Sequence, residues 1–192
     1  MLTQLTGAVA LPDDRCILFS DTLYWTLDLV SGSLADGPLA IADDFAGVWP
    51  SGKVVPVYWG CGQVFFFSNG QFTRYDLAAR KVQYDAPLPV AGAWPGMWPE
   101  GPDAAFNGLN GKVYFFRGGE YLRYDITLDR TDPGYPRNIA DMWSGVWADG
   151  VDAALCPDGM QVLFFRGTDY LVFNLAADAV TAGPLPVSGI AL

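Results

Sequence analysis

Any chemistry in this chain has to proceed without imidazole. The 192 residues include no histidine, which removes a Ser/His/Asp triad, a histidine general base and any histidine-ligated zinc or iron. The sequence also holds no CxxC pair, no phosphate-cradling glycine loop and no acidic calcium loop. Acid–base work would fall to carboxylates, with Asp103, Asp152 and Glu100 as the candidates. They could promote cyclisation or isomerisation of a small molecule only from a deep pocket and with a raised pKa. Trp49, Trp98 and Trp147 offer aromatic faces suited to an apolar or cationic ligand. Haem would have to bind through Tyr, Cys or Met, and no motif for that is present, so haem is not expected.

The elements that must position these residues are read from a repeat. Asp103 to Asp125 runs DAAFNGLNGKVYFFRGGEYLRYD: a strand of small residues, an Asn/Gly turn, an aromatic strand, a glycine turn, and a strand alternating apolar with polar. That is the pattern of consecutive antiparallel hairpins. It recurs as DAALCPDGMQVLFFRGTDYLVFN from Asp152 to Asn174 and VVPVYWGCGQVFFFSNGQFTRYD from Val54 to Asp76. Phe67, Phe116 and Phe165 stand 49 residues apart, as do Asp76, Asp125 and Asn174, and the three tryptophans. A fainter copy lies 48 residues earlier, with Phe19, Tyr24 and Asp28 in register.

Four copies of about four strands each predict an all-β, four-bladed propeller with short peripheral helical turns. The blades fall near 5–52, 53–101, 102–150 and 151–192, as one domain over 1–192. The linkers PSG, PEG and ADG are blade connections. Equivalent positions share one face of such a ring, which places Trp49, Trp98 and Trp147 together near one mouth of its channel. There they form a ligand rim, or else they pack blade against blade with Phe45, Trp94 and Trp143. Asp43 and Asp44 fall in a peripheral turn as solvated carboxylates. Arg117 and Arg166 in the FFRG turns, with Arg74 and Arg123 on third strands, are expected to pair with carboxylates. Pro56 removes a backbone donor from an innermost strand, which suits a strand side that faces the channel.

These motifs resemble the hemopexin repeats: DAAF and DAAL on the inner strand, VYFFRG and VLFFRG on the second, YLRYD on the third, and the peripheral turn YPRNIADMWSGVW from Tyr135 to Trp147. The resemblance covers the whole chain and is strongest in the third and fourth copies. It implies the four-bladed propeller of hemopexin, of matrix metalloproteinase C-terminal domains and of plant seed albumins. It also implies a central channel holding calcium or sodium, sometimes chloride. Carried over to this chain, the carbonyl ring falls on Thr6, Val54, Asp103 and Asp152, with Ala8, Pro56, Ala105 and Ala154 deeper in. Only two of the four outer positions keep the aspartate. Hemopexin's histidine-held haem does not carry over. Relatives outside cells close the ring with a first-to-last-blade disulfide; Cys16, Cys61 and Cys156 occupy three different repeat positions, so free thiols in a reducing compartment are expected.

Charge narrows the partners. Of a net −10, residues 1–52 hold one arginine against seven aspartates, and residues 151–192 one arginine against four. In a closed ring these blades are neighbours, which makes an acidic seam. Nucleic acid and anionic membranes need a basic patch, so neither is expected. No apolar run reaches the roughly eighteen residues of a membrane span, and the N-terminus lacks the basic start of a signal peptide, so the expected location is the cytoplasm, the alternative being a secreted form whose leader has been removed. The reading is a non-catalytic binding module for a small cationic or aromatic ligand, spermine-like polyamines included, or for a protein partner. The rivals are a carboxylate enzyme of cyclase or isomerase type and a haem binder without histidine ligands. A carboxylate-lined pocket would favour the enzyme, and a flat exposed apolar patch the protein partner.

Overall fold

A computed structural model describes residues 2–190. Its strands form four separate antiparallel sheets. In the first blade β1 (Gly7–Ala10), β2 (Arg15–Ser20), β3 (Leu23–Asp28) and β4 (Ser33–Ala40) pair in that order, and α1 (Ile41–Asp44) follows. The second blade is β5 (Val55–Gly60), β6 (Gln63–Ser68) and β7 (Gln71–Asp76). Its outermost strand is split into β8 (Lys81–Val82) and β9 (Leu88–Pro89), both paired with β7. The third repeats this arrangement with β10 (Ala104–Asn107), β11 (Lys112–Arg117), β12 (Glu120–Asp125), β13 (Arg130–Thr131) and β14 (Arg137–Asn138), ending in α2 (Ile139–Met142). The fourth is β15 (Ala153–Leu155), β16 (Gln161–Arg166), β17 (Asp169–Asn174) and β18 (Ala179–Pro186), followed by a 3₁₀ turn at Val187–Gly189. Each inner strand touches the inner strands on both sides, β1 meeting β5 and β15 and β10 meeting β5 and β15, so the ring closes. This is the predicted four-bladed propeller. Among the described residues no helix is long and apolar enough to cross a membrane.

The repeat dictates the register. Gly7, Val55, Ala104 and Ala153 pair with Phe19, Phe67, Phe116 and Phe165, so one large ring backs each small inner-strand residue. The aspartate closing each third strand caps the turn to the fourth: Asp76 Oδ1 accepts from the amides of Ala78 and Ala79, and Asp125 Oδ1 from those of Thr127 and Leu128. Asn174 does the same for Ala177 and Asp28 for Ser31. These turn bonds explain the recurring Asp/Asn without invoking a ligand.

Between blades the core is aromatic. Phe45 lies against Phe19 and Tyr24 of the first blade and Phe66 and Tyr75 of the second. Trp94 touches Phe67 and Phe72 on one side and Phe115 and Tyr124 on the other. Trp143 bridges Phe116 and Tyr121 to Phe164 and Phe173. Most of these contacts are edge-to-face, the preferred geometry for ring quadrupoles. Two positions after each wedge comes a glycine at positive φ: Gly47, Gly96 and Gly145. A Cβ there would strike Val82, Thr131 or Val180 in the outer strand of the next blade, at 2.4, 2.7 and 3.1 Å. Glycine is required for both its dihedral and its lack of bulk. The fourth seam, between the last blade and the first, is aliphatic apart from Trp25, Phe165 and Tyr170, with Leu2, Leu5, Leu18, Val187 and Ile190 packed together.

Two expectations are refined. Asp44 is half-buried rather than simply solvated: it accepts a hydrogen bond from the Tyr24 hydroxyl and pairs with Arg80 at 2.6 Å, tying blades one and two. Pro56 is buried, and its ring is packed against Gly7 of the adjoining inner strand, where a Cβ would sit 2.6 Å from Pro56 Cδ.

Candidate functional site

The inner strands run parallel to one another around the axis, so the channel has two chemically distinct ends. At the end where the strands finish lies a cavity of about 180 Å3. Ala8, Pro56, Ala105 and Ala154, the four positions read as deep channel, form its inner wall. One alternation outward, on the same face of each strand, come Ala10, Tyr58, Asn107 and Cys156. These are again repeat-equivalent positions, yet the four residues differ completely: a methyl, a phenol, an amide and a thiol.

The polar groups of this outer ring are largely satisfied within the protein. Asn107 Nδ2 donates to the Tyr58 carbonyl at 2.9 Å, and its Oδ1 accepts from the Leu109 amide at 2.8 Å. The Tyr58 hydroxyl accepts from the Gly62 amide at 3.2 Å. Burial pushes the Cys156 thiol up to about 11 and the Cys16 thiol up to about 12, so both are neutral, unreactive thiols at neutral pH. Leu11, Leu109 and Phe106 complete apolar walls, and Asp14, exposed at the rim, is the one carboxylate lining the cavity among the described residues. Sequence reasoning did not find Tyr58, Asn107 or Cys156. The signal was present: this is where otherwise similar inner strands diverge most.

The other end carries the predicted ring positions Thr6, Val54, Asp103 and Asp152, each directly before its inner strand. The two aspartates hold backbone turns with their side chains, Asp103 Oδ2 accepting from Gly118 N at 2.9 Å and Asp152 Oδ2 from Gly167 N at 2.8 Å. The Val54 carbonyl is directed at Gly7, whose added Cβ would lie 2.2 Å from it. The hydroxyl of Thr6 is buried without a hydrogen-bond partner. No three His, Cys, Asp or Glu side chains among the described residues gather as a metal-binding set. Trp49, Trp98 and Trp147 are half-buried against the clusters of successive seams. Trp98 also lines a shallow depression with Asp103, Arg117 and Glu120.

Arg123 and Arg166 pair closely with carboxylates as expected, and Arg117 stands 3.9 Å from Glu100. Arg166 grips Asp149 through both terminal guanidinium nitrogens, Nη1 and Nη2. Arg123 joins Asp132, which also binds Lys112, itself paired with Asp125. Burial raises the Asp132 carboxyl, but the bonds from Lys112 and Arg123 outweigh it and hold the group below the ordinary carboxylate range. Arg74 lies over the Tyr84 ring instead of finding a carboxylate. The three thiols are free and lie in three different blades.

This architecture defines a class, the four-bladed propeller of hemopexin type. The Hemopexin family model matches residues 102–148, the third blade and its peripheral turn. A hemopexin fold protein from cow pea superposes with a TM-score of 0.82 at 18% identity, covering 97% of this chain and 94% of that one. A seed albumin from Lathyrus sativus gives 0.84 at 20% identity, with the same coverage of each chain. A plant lectin with two metal binding sites from Cicer arietinum gives 0.77 at 21% identity, covering 98% and 92%. At such identities the likeness is one of fold. No curated protein matches the sequence.

Proposed function

We propose that this propeller is a non-catalytic binding module that takes a small aromatic or apolar molecule into the mouth ringed by Ala10, Tyr58, Asn107 and Cys156. The observation that carries this reading is the cavity itself. It is apolar, walled by all four inner strands, and about the size that accepts a single aromatic ring system. Asp14 on the rim would receive an amine carried by such a ligand, which joins the aromatic and cationic halves of the expectation in one molecule. Of the carboxylates considered for catalysis none lines this cavity; Asp103 and Glu100 line a separate open cleft, beside Lys53 and Arg117.

At the opposite end a hard cation is a second reading, favoured by the buried, unpartnered Thr6 hydroxyl. Its donors would be the backbone carbonyls of Thr6, Val54, Asp103 and Asp152, oxygen ligands of the kind calcium or sodium takes.

The test is the melting temperature of metal-stripped protein with indole, phenethylamine, spermine or calcium added singly. A ligand at a hundred times its dissociation constant adds about 2.7 kcal/mol, a shift of about 5–10 °C at this length. Indole or phenethylamine should raise the melting temperature, and Ala154→Leu, which fills the cavity floor, should abolish that rise. A rise with spermine alone would replace the aromatic reading with a polycation on the acidic seam. Calcium stabilisation that persists in Ala154→Leu would support the ion at the far end, and its absence would remove it.

A further inference from the structure

The second and third blades break the repeat where they meet, and the break opens a cleft of about 470 Å3 at the end of the ring opposite the apolar mouth. Two differences from the third and fourth copies create it. The residue just before the Val54/Asp103/Asp152 position is Leu5, Pro102 and Val151 in blades one, three and four, all buried. In blade two it is Lys53, which is exposed. The residue closing the second strand is Arg117 in blade three and Arg166 in blade four, but serine in blades one and two, Ser20 and Ser68. The Ser68 hydroxyl turns inward to donate to the Lys53 carbonyl at 2.9 Å, leaving the space that an arginine fills elsewhere.

The charges around this space are only loosely paired. Lys53 Nζ stands 3.6 Å from Asp103 Oδ1, with both side chains about two-fifths exposed. Arg117 is anchored by its Nη1 to the Gly101 carbonyl at 2.8 Å, and its Nε lies 3.9 Å from Glu100, an exposed carboxylate. One seam further on, the equivalent Arg166 and Asp149 are locked in a bidentate pair. The cleft thus presents two cations and two anions that a ligand can engage without first breaking a tight ion pair. Beneath them the buried side chains of Val55, Phe67 and Pro102 form the floor.

We infer that this cleft is a second binding site, separate from the apolar mouth, for a small zwitterion: a free amino acid with an apolar side chain, or a short peptide of that kind. The carboxylate of such a ligand would meet Lys53 and Arg117, its ammonium Glu100 and Asp103, and its side chain the floor over Phe67 and Pro102. A cleft with balanced charges selects dipolar ligands because a simple anion or cation leaves one pair of protein charges desolvated and unmatched.

The experiment is saturation-transfer NMR on the full chain with leucine, phenylalanine and the dipeptide Leu-Leu. Isoamylamine, which lacks leucine's carboxylate, and methylpentanoate, which lacks its ammonium, serve as controls. At least one zwitterion should show transfer. Each truncated analogue should bind about tenfold or more weakly, the loss expected when charge-assisted hydrogen bonds are removed. Ser68→Arg and Lys53→Val install residues that sister blades already carry, so the fold should tolerate them, and each should abolish the signal. Ala154→Leu, at the other mouth, should leave it intact. The inference is overturned if no zwitterion shows transfer, if the truncated analogues bind as well as their parents, or if the signal survives both cleft substitutions.

Discussion

Two glycines show how differently one residue type is used. Gly52 and Gly96 both sit near φ +85°, but a Cβ on Gly52 meets nothing within 4 Å, whereas on Gly96 it would strike Thr131 at 2.7 Å. Gly52→Ala should therefore cost only the backbone strain, about 1–2 kcal/mol. Gly96→Ala should cost about 1–3 kcal/mol more because it overpacks a seam. Equal losses in urea unfolding would refute the close-approach argument. Acid sensitivity is also set by named residues. Lys112 and Arg123 hold the Asp132 carboxyl below its ordinary range, and Lys112 with turn amides does the same for Asp125. Carboxylates with depressed folded pKa values bind fewer protons folded than unfolded. Their stabilisation is complete above the unfolded value near 4 and is lost as pH falls through the lower folded values. Unfolding midpoints should therefore hold steady at neutral pH and drop between about pH 5 and pH 2. Asp132→Asn should be less stable at pH 7 and show a shallower acid limb.

At the scale of elements, the aromatic wedges carry the ring. Trp143 is buried between two blades and touches aromatic rings from both. Trp143→Ala should cost about 3–5 kcal/mol, while Trp147→Ala, half-buried at its seam, should cost about half that. The reverse order, read by denaturant unfolding, would mean that the rim tryptophans hold the blades. The strands, their register and the wedges were legible because a 49-residue repeat writes each constraint several times over, so the FFRG and YLRYD runs fix pairing by redundancy. The two cavities were not legible for the complementary reason. Each is made where copies disagree, at Ala10, Tyr58, Asn107 and Cys156 on one face and at Lys53 and Ser68 on the other. A departure from a repeat reads as noise until the strand ends are brought together in space. The recurrence of Asp103 and Asp152 has a local cause as well, since their side chains hold turns through the amides of Gly118 and Gly167.

Across the whole molecule, charge and closure act together. The two most acidic blades abut at the seam built from Leu2, Leu5, Val187 and Ile190. Their mutual repulsion opposes ring closure and is screened by salt. Adding sodium chloride should therefore raise the melting temperature, and a fall would show that the ion pairs around Asp132 and Asp149 outweigh the repulsion. The wedges carry a further consequence for how the chain comes into being. Phe45, Trp94 and Trp143 each trail the strands of their own blade, yet part of each wedge's aromatic packing lies in the blade that follows. A nascent chain leaving the ribosome therefore carries an unfinished aromatic face after each of its first three repeats, and only synthesis of the next repeat covers it. The unit that is copied in the sequence is the blade, but the unit that can shelter its own rings from water is the pair.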